Sequence, residues 1–273
     1  MNPRQVVAWT LYDFANSAFA AVIAATIYAA YYTQAVVGNA QGEGDLWWGR
    51  LVSTSMAIVA ITSPILGAIA DHAGVRKRLF IITTYLSVGA TALMATVQPG
   101  MVGRGFVLGV VGIVGFEAAI LFYNSYLPEI ALPEWQGRIS AYGFGVGYAG
   151  SIVALVVALP FAKAGAIAWC FLSAALLFGA FSLPAFLVLP RDRPGHIGVA
   201  GAIRKGLQGV VRTAKEILGL RELRRFLGAY FLYEDGVNTV VFFSSIFAAK
   251  TLGFGMAQLI GLYILVQIGR AHV

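Results

Sequence analysis

The sequence predicts an all-α integral membrane protein, a bundle of spanning helices, and three observations carry that prediction. Of 273 residues, 59% are hydrophobic and 11% charged, with a mean hydropathy of +0.79, which would leave a water-soluble chain nowhere to bury its apolar surface. The apolar residues gather in runs of roughly 20 residues or more, the length needed to cross about 30 Å of hydrocarbon. The Lys and Arg residues sit in the gaps between runs, most of them on one side. The net charge of +7 therefore reads as membrane topology and excludes nucleic acid as the expected partner.

Taken in order, the complete runs cover residues 6–37, 47–70, 79–97, 102–127, 139–161, 164–189 and 226–249, and an eighth begins near Met256. Met1 to Gln5 is short and the run after it is too long for a signal-peptide core, so the first run is expected to stay as a span. Pro64 and Pro184 lie inside runs, where they kink a helix while its neighbours satisfy the freed carbonyl. With the N-terminus in the cytoplasm, 14 of the 19 Lys and Arg residues fall inside, and Trp47 and Trp48 are expected at the outer headgroup level. The lone cysteine, Cys170, sits in an apolar run and gives neither a disulfide nor a thiol metal site.

The 190–225 segment is the one long break. It opens on the turn-forming Arg191-Asp192-Arg193-Pro194-Gly195. Ile203, Leu207, Val210, Val211, Ala214, Ile217 and Leu218 then repeat at helical spacing opposite Arg204, Lys205, Gln208, Arg212 and Lys215. This predicts a basic amphipathic helix lying against anionic lipid headgroups on the cytoplasmic face.

Polar residues inside the runs are the candidates for function. Near the start, Asp13-x-x-Asn16-Ser17 is echoed by Asp235-x-x-Asn238-Thr239, and residues three apart share a helix face. Asp13, Glu117, Glu234 and Asp235 each cost roughly 2.5–3.5 kcal/mol to place at a helix centre, so their presence points to function. Counted from the cytoplasmic ends of their runs, Asp13, Glu117 and Glu234 lie about 10–15 Å deep, where they could share one cavity. With Asn16, Ser17, Asn124 and Asn238 they form the candidate set for substrate binding or proton coupling. Of the Glu234/Asp235 pair, one is expected to face elsewhere, since neighbours in sequence point about 100° apart. The glycine-rich stretch Gly143-Phe144-Gly145-Val146-Gly147-Tyr148-Ala149-Gly150 in the fifth run reads as a helix-packing stripe, small residues at four-residue spacing letting helices approach closely.

Between the second and third runs, Gly67-x-x-x-Asp71-x-x-Gly74-x-Arg76-Lys77-Arg78 resembles the loop signature of the major facilitator superfamily. The Tyr12-Asp13-Phe14-Ala15-Asn16-Ser17 opening, Tyr123-Asn124-Ser125-Tyr126-Leu127-Pro128-Glu129 and Gly137-Arg138-Ile139-Ser140 resemble the branch of that superfamily that holds the autophagy-related vacuolar amino-acid effluxer and bacterial relatives. The resemblance implies a major-facilitator-type bundle of two six-span halves, truncated in this chain. The expected organisation is a six-span bundle over 1–189, the basic linker over 190–225, and spans seven and eight over 226–267. It also implies a cytoplasmic gating loop at Gly67, Asp71, Gly74, Arg76, Lys77 and Arg78. The last six residues, Ile268-Gly269-Arg270-Ala271-His272-Val273, coincide with the translation of a common sequencing-adapter DNA and are expected to be foreign, with about four further spans in the whole protein.

The function expected is secondary active transport of a small polar solute, an amino acid among the candidates, by alternating access and coupled to protons. The alternative is a non-transporting membrane scaffold or an intramembrane enzyme. His72, His196 and His272 lie in loops or in the last six residues, and no nucleophile with a base or metal cluster is legible, so neither catalysis nor a metal or other cofactor is expected. A bacterial cell membrane is the expected location, and a monomer the expected state of the complete protein.

Overall fold

The computed structural model describes residues 1–192 and 198–270. Among them the regular elements are helices and no strand is present. Helix α1 (Pro3–Phe19) starts where the Asn2 side chain accepts from Arg4 N at 3.1 Å, with Pro3 in the first turn, where its missing N–H costs nothing. The chain runs on through a π-helical stretch at Ala20–Thr26, then α2 (Ile27–Tyr31) and a second π-helical stretch at Tyr32–Val37. It stops at Gly38, whose φ of +86° suits only glycine. Helix α3 (Glu43–Ala73) carries Pro64 and ends on Gly74 in the left-handed region at φ +65°.

The remaining helices are α4 (Arg76–Met94), α5 (Val102–Ser125), the one-turn α6 (Leu127–Ile130), α7 (Pro133–Lys163), α8 (Ile167–Val188), α9 (Val199–Gly219), α10 (Arg221–Thr251) and α11 (Met256–Arg270). Among the described residues, five stretches are long and apolar enough to cross a membrane: Pro3–Val37, Glu43–Ala70, Val102–Ile130, Pro133–Lys163 and Ile167–Val188. The predicted third and seventh runs are helices as well, but more polar ones. Helix α4 opens on Arg76, Lys77 and Arg78, and α10 opens on Arg221-Glu222-Leu223-Arg224-Arg225 and carries two acids at mid-length. The chain is a multi-pass integral membrane protein.

Helix α1 is the hub. It packs on α7 and α8, while α4 pairs with α5 and also touches α8, and α3 lies on α5. Along the first span Tyr12, Ala15, Val22, Ile27 and Tyr28 are fully buried. Tyr12 meets the rings of Phe80, Tyr123, Phe178 and Phe186, and its hydroxyl pairs with Thr84 Oγ1 at 2.9 Å. Helices α4 and α5 approach closely because Gly115 has no side chain: a Cβ there would sit 2.9 Å from Ser87 N and Thr83 O.

One expectation changes at this level. Trp48 is not a headgroup anchor but fully buried, its indole N–H donating to Phe242 O of α10 at 3.0 Å. An interfacial tryptophan and a helix-joining one look alike in sequence, because both want an apolar setting with one acceptor. The amphipathic helix forms as α9, but it lies on α3: a Cβ at Gly206 would meet Ala68 Cβ at 2.2 Å. Leu207, Val210, Val211 and Leu218 of α9 remain exposed. Of the final residues, 271–273 lie outside the described ones, as does the 193–195 part of the predicted turn cluster.

Candidate functional site

Asp13 is set by the packing of α1 against α7. Gly143, Gly147 and Gly150 form a stripe along α7, and each faces a group of α1: a Cβ on Gly143 would meet Trp9 Cζ3 at 2.8 Å and Asp13 Oδ2 at 3.2 Å, one on Gly147 Ser17 Oγ at 3.0 Å, and one on Gly150 Phe14 O at 2.2 Å. The predicted packing stripe is thus also the wall against which the Asp13 carboxylate and the Ser17 hydroxyl rest. Asn16, buried, donates from Nδ2 to Asp13 Oδ1 at 3.4 Å, as their spacing on one helix face requires. Trp9 closes one end, stacked on Tyr123 at 4.4 Å with its N–H on Tyr123 O. No Lys or Arg among the described residues forms an ion pair with Asp13.

The other candidates occupy different places. Glu117 is half-buried on α5, and no hydrogen bond or ion pair with a described residue holds its carboxylate; Asn124, two turns on, is exposed. On α10, Asp235, Asn238 and Thr239 line a cavity of about 270 Å³ whose opposite wall is α3, at Gly49, Val52, Ser53 and Met56. Glu234 leaves that wall and lies within hydrogen-bond reach of Tyr230, one turn earlier. The sequence echo therefore maps onto two separate settings: Asp13 faces α7, and Asp235 faces α3. Sequence spacing places the acids at one depth but is silent on the direction each faces around its own helix.

The loop signature builds a second cluster at the other end of α4. Arg76 pairs with Glu129 of α6, donates to Ser125 O at 3.3 Å and lies 3.9 Å from the centre of the Tyr126 ring. Lys77 donates from Nζ to Leu189 O at 2.7 Å. The first turn of α4 has no cap from its own flank, and Asp192 supplies one, accepting from Lys77 N at 2.6 Å and from Arg78 N at 3.3 Å. Burial and the nearby Arg191 push the Lys77 ammonium down, with Asp192 acting against them. Gly74 serves as the left-handed helix end, Gly67 has open space around it, and the side chain of Asp71 lies outside the described residues. Glu129, Tyr126 and Asp192 are members of this cluster that were not among the candidate site residues. Tyr126 and Glu129 stand in a family-like motif, the one local signal; Asp192 lies 115 residues from its partner.

No group of three or more His, Cys, Asp or Glu is arranged to hold a metal among the described residues. The end of the bundle away from Arg76 joins α10 to α3: besides Trp48 and Phe242, Lys250 pairs with Asp45, whose other oxygen accepts from Asn39. Further along α10 toward its N-terminus, Phe231, Leu232, Tyr233, Asp235 and Asn238 are exposed.

A family model described as vacuole effluxer Atg22 like matches residues 50–272. The chain is 28% identical over 282 residues to the uncharacterized MFS-type transporter YxiO of Bacillus subtilis, an alignment that covers 97% of this chain and 64% of that protein. It is 24% identical over 285 residues to autophagy-related protein 22-1 of Penicillium rubens, covering 76% of this chain and 48% of the relative. To the protein of the same name from Aspergillus fumigatus it is 30% identical over 138 residues, 45% of this chain and 22% of the relative. The chain thus spans less than two thirds of the length of each of these relatives. No solved structure matches it.

Proposed function

The chain belongs to the family of proteins like the vacuole effluxer Atg22, and from that premise we propose that it serves secondary active transport of a small solute carrying an amino group, by alternating access and with protons as the coupling ion. The names printed for its relatives describe transport and efflux, not catalysis. One observation supports proton coupling above the others: Asp13 stands in the central helix of the bundle, wedged against the α7 glycine stripe, with Asn16 as its hydrogen-bond donor and no ion pair to a cation among the described residues. A carboxyl so placed is charged at low cost only while water reaches it, so opening and closing the site takes up and releases a proton. The amino group follows from the same inventory, since the candidate set offers carboxylates and amides to a ligand and no buried cation to an anion. An amino acid meets that description. The reading places the N-terminus in the cytoplasm of a bacterial cell, which sets the Arg76 cluster and the basic linker on the inner face.

Uptake by the protein of the whole reading frame in proteoliposomes tests the substrate class. Amino acids and simple amines should compete for transport. Competition by an organic phosphate or a dicarboxylate, with no effect of amines, would contradict the reading.

A further inference from the structure

The cavity between α3 and α10 has a composition that the α1 site lacks. Its polar wall is the Asp235 carboxylate with Asn238 and Thr239 at the next turn of the same face, and Ser53 of α3 contributes a hydroxyl. Its apolar wall is Val52, Met56, Phe242 and Phe243. The Thr239 hydroxyl donates to the backbone carbonyl of Asp235 at 2.8 Å, and the exposed Asp235 carboxylate makes no hydrogen bond or ion pair to a described residue. Gly49 keeps the space open: a Cβ there would come no closer than 3.9 Å to Phe243 Cζ, so close helix packing does not explain the glycine. No Lys or Arg lines the cavity. Asp13, by contrast, rests against the glycine stripe of α7, at Gly143 and Gly147.

We propose that the α3–α10 cavity is the binding site for the ammonium group of an organic amine, with Asp235 as its counter-ion, Asn238 and Ser53 as hydrogen-bond partners, and the Phe243 and Met56 wall in contact with the carbon chain. This deepens the transport reading and rests on it: Asp13 then handles the proton, and Asp235 the substrate. An anion is excluded by the unpaired carboxylate. A bare metal cation is disfavoured because half of the wall offers no oxygen, whereas an alkylammonium pairs its charge with a carboxylate and its methylenes with apolar and aromatic surface. A volume of about 270 Å³ accommodates a small amine. The place also suits a carrier. Just beyond it, Trp48 and the Asp45–Lys250 pair join α3 to α10, while the opposite end of α10 is exposed, so a ligand at Asp235 bridges two helices at the point where they part.

Calorimetric titration of the protein of the whole reading frame in lipid nanodiscs with n-butylammonium, with n-butanol and sodium as separate arms, tests this. The ammonium should bind, with n-butanol and sodium giving no comparable heat. Asp235→Asn should weaken binding at least about tenfold. Asp235→Glu should retain it in part, and Ser53→Leu should block the cavity from the α3 side without touching the charge. Glu222→Gln, which removes an acid from the same helix outside the cavity, should leave binding unchanged. If Asp235→Asn and Ser53→Leu both bind as the parent does while Asp13→Asn does not, the site assignment is wrong and the amine reading survives. Should sodium bind in place of the ammonium, the ligand class is wrong. If none of the three ligands binds the parent protein, both the site and the amine reading fall.

Discussion

The Trp48 indole N–H donates to the backbone carbonyl of Phe242 across 3.0 Å, and Trp48 is fully buried at that contact. This bond joins the second long helix to the one that follows the linker, at the edge of the Asp235 cavity that Phe242 helps to line. Burial makes its loss expensive. Trp48→Phe removes this second bond to Phe242 O, which keeps its own helical partner, and leaves a gap where the indole was packed, so it should cost about 1–3 kcal/mol in reversible unfolding in detergent. Lys250→Ala, which breaks the half-exposed pair with Asp45, should cost less than about 1 kcal/mol. An equal cost for the two would show that the indole bond is not what holds these helices.

The α7 glycines divide by what faces them. Gly150→Ala puts a methyl group 2.2 Å from Phe14 O, a backbone atom that cannot turn aside. It should separate α1 from α7 and cost about 1–3 kcal/mol or more, seen as lost thermal stability and lost expression. Gly145→Ala has nothing within 4 Å and should be neutral, or stabilising by up to about 1 kcal/mol through helix propensity. If both substitutions are neutral, α1 and α7 do not meet at this stripe.

Asp192 caps a helix from which it is far away in sequence. Asp192→Ala removes the acceptor for Lys77 N and Arg78 N and should cost about 0.5–2 kcal/mol. Because the lost contact also ties the start of the linker to α4, limited proteolysis after residue 192 should quicken in the same variant. Unchanged cleavage together with unchanged stability would remove the cap from the account.

Helical periodicity, the basic linker and the family signature were legible because each is local: a run of apolar residues, an amphipathic spacing, a motif within twelve positions. The Asp13–Asn16 contact was legible for the same reason, since three residues of helix fix it. What stayed hidden is what two helices do to each other. The sequence places Trp48 in an apolar run near a charged loop, and only the position of Phe242 makes it a bridge. Glu234 and Asp235 are equivalent on paper and part company because α3 lies on one side of α10 alone. Gly206 looks like a weak point in an amphipathic helix until Ala68 is set against it. The polarity of α4 and α10 is readable from their charges, yet both are helical over most of their predicted runs, α4 packed on α5 and α8 and α10 largely exposed over its first two thirds.

The account rests most heavily on Asp13, and accumulation driven by a pH gradient measures its role directly. In proteoliposomes holding the protein of the whole reading frame, Asp13→Asn keeps the hydrogen-bonding shape beside Asn16 and fits the same space against Gly143 and Gly147, so the fold should survive. The amide cannot take up or release a proton. Substrate accumulation under an imposed pH gradient should therefore fall to the level of empty liposomes, while exchange of substrate at equal pH on both sides persists. Accumulation by Asp13→Asn at the parent rate would show that Asp13 is a packing residue and that protons, if they are coupled at all, pass elsewhere.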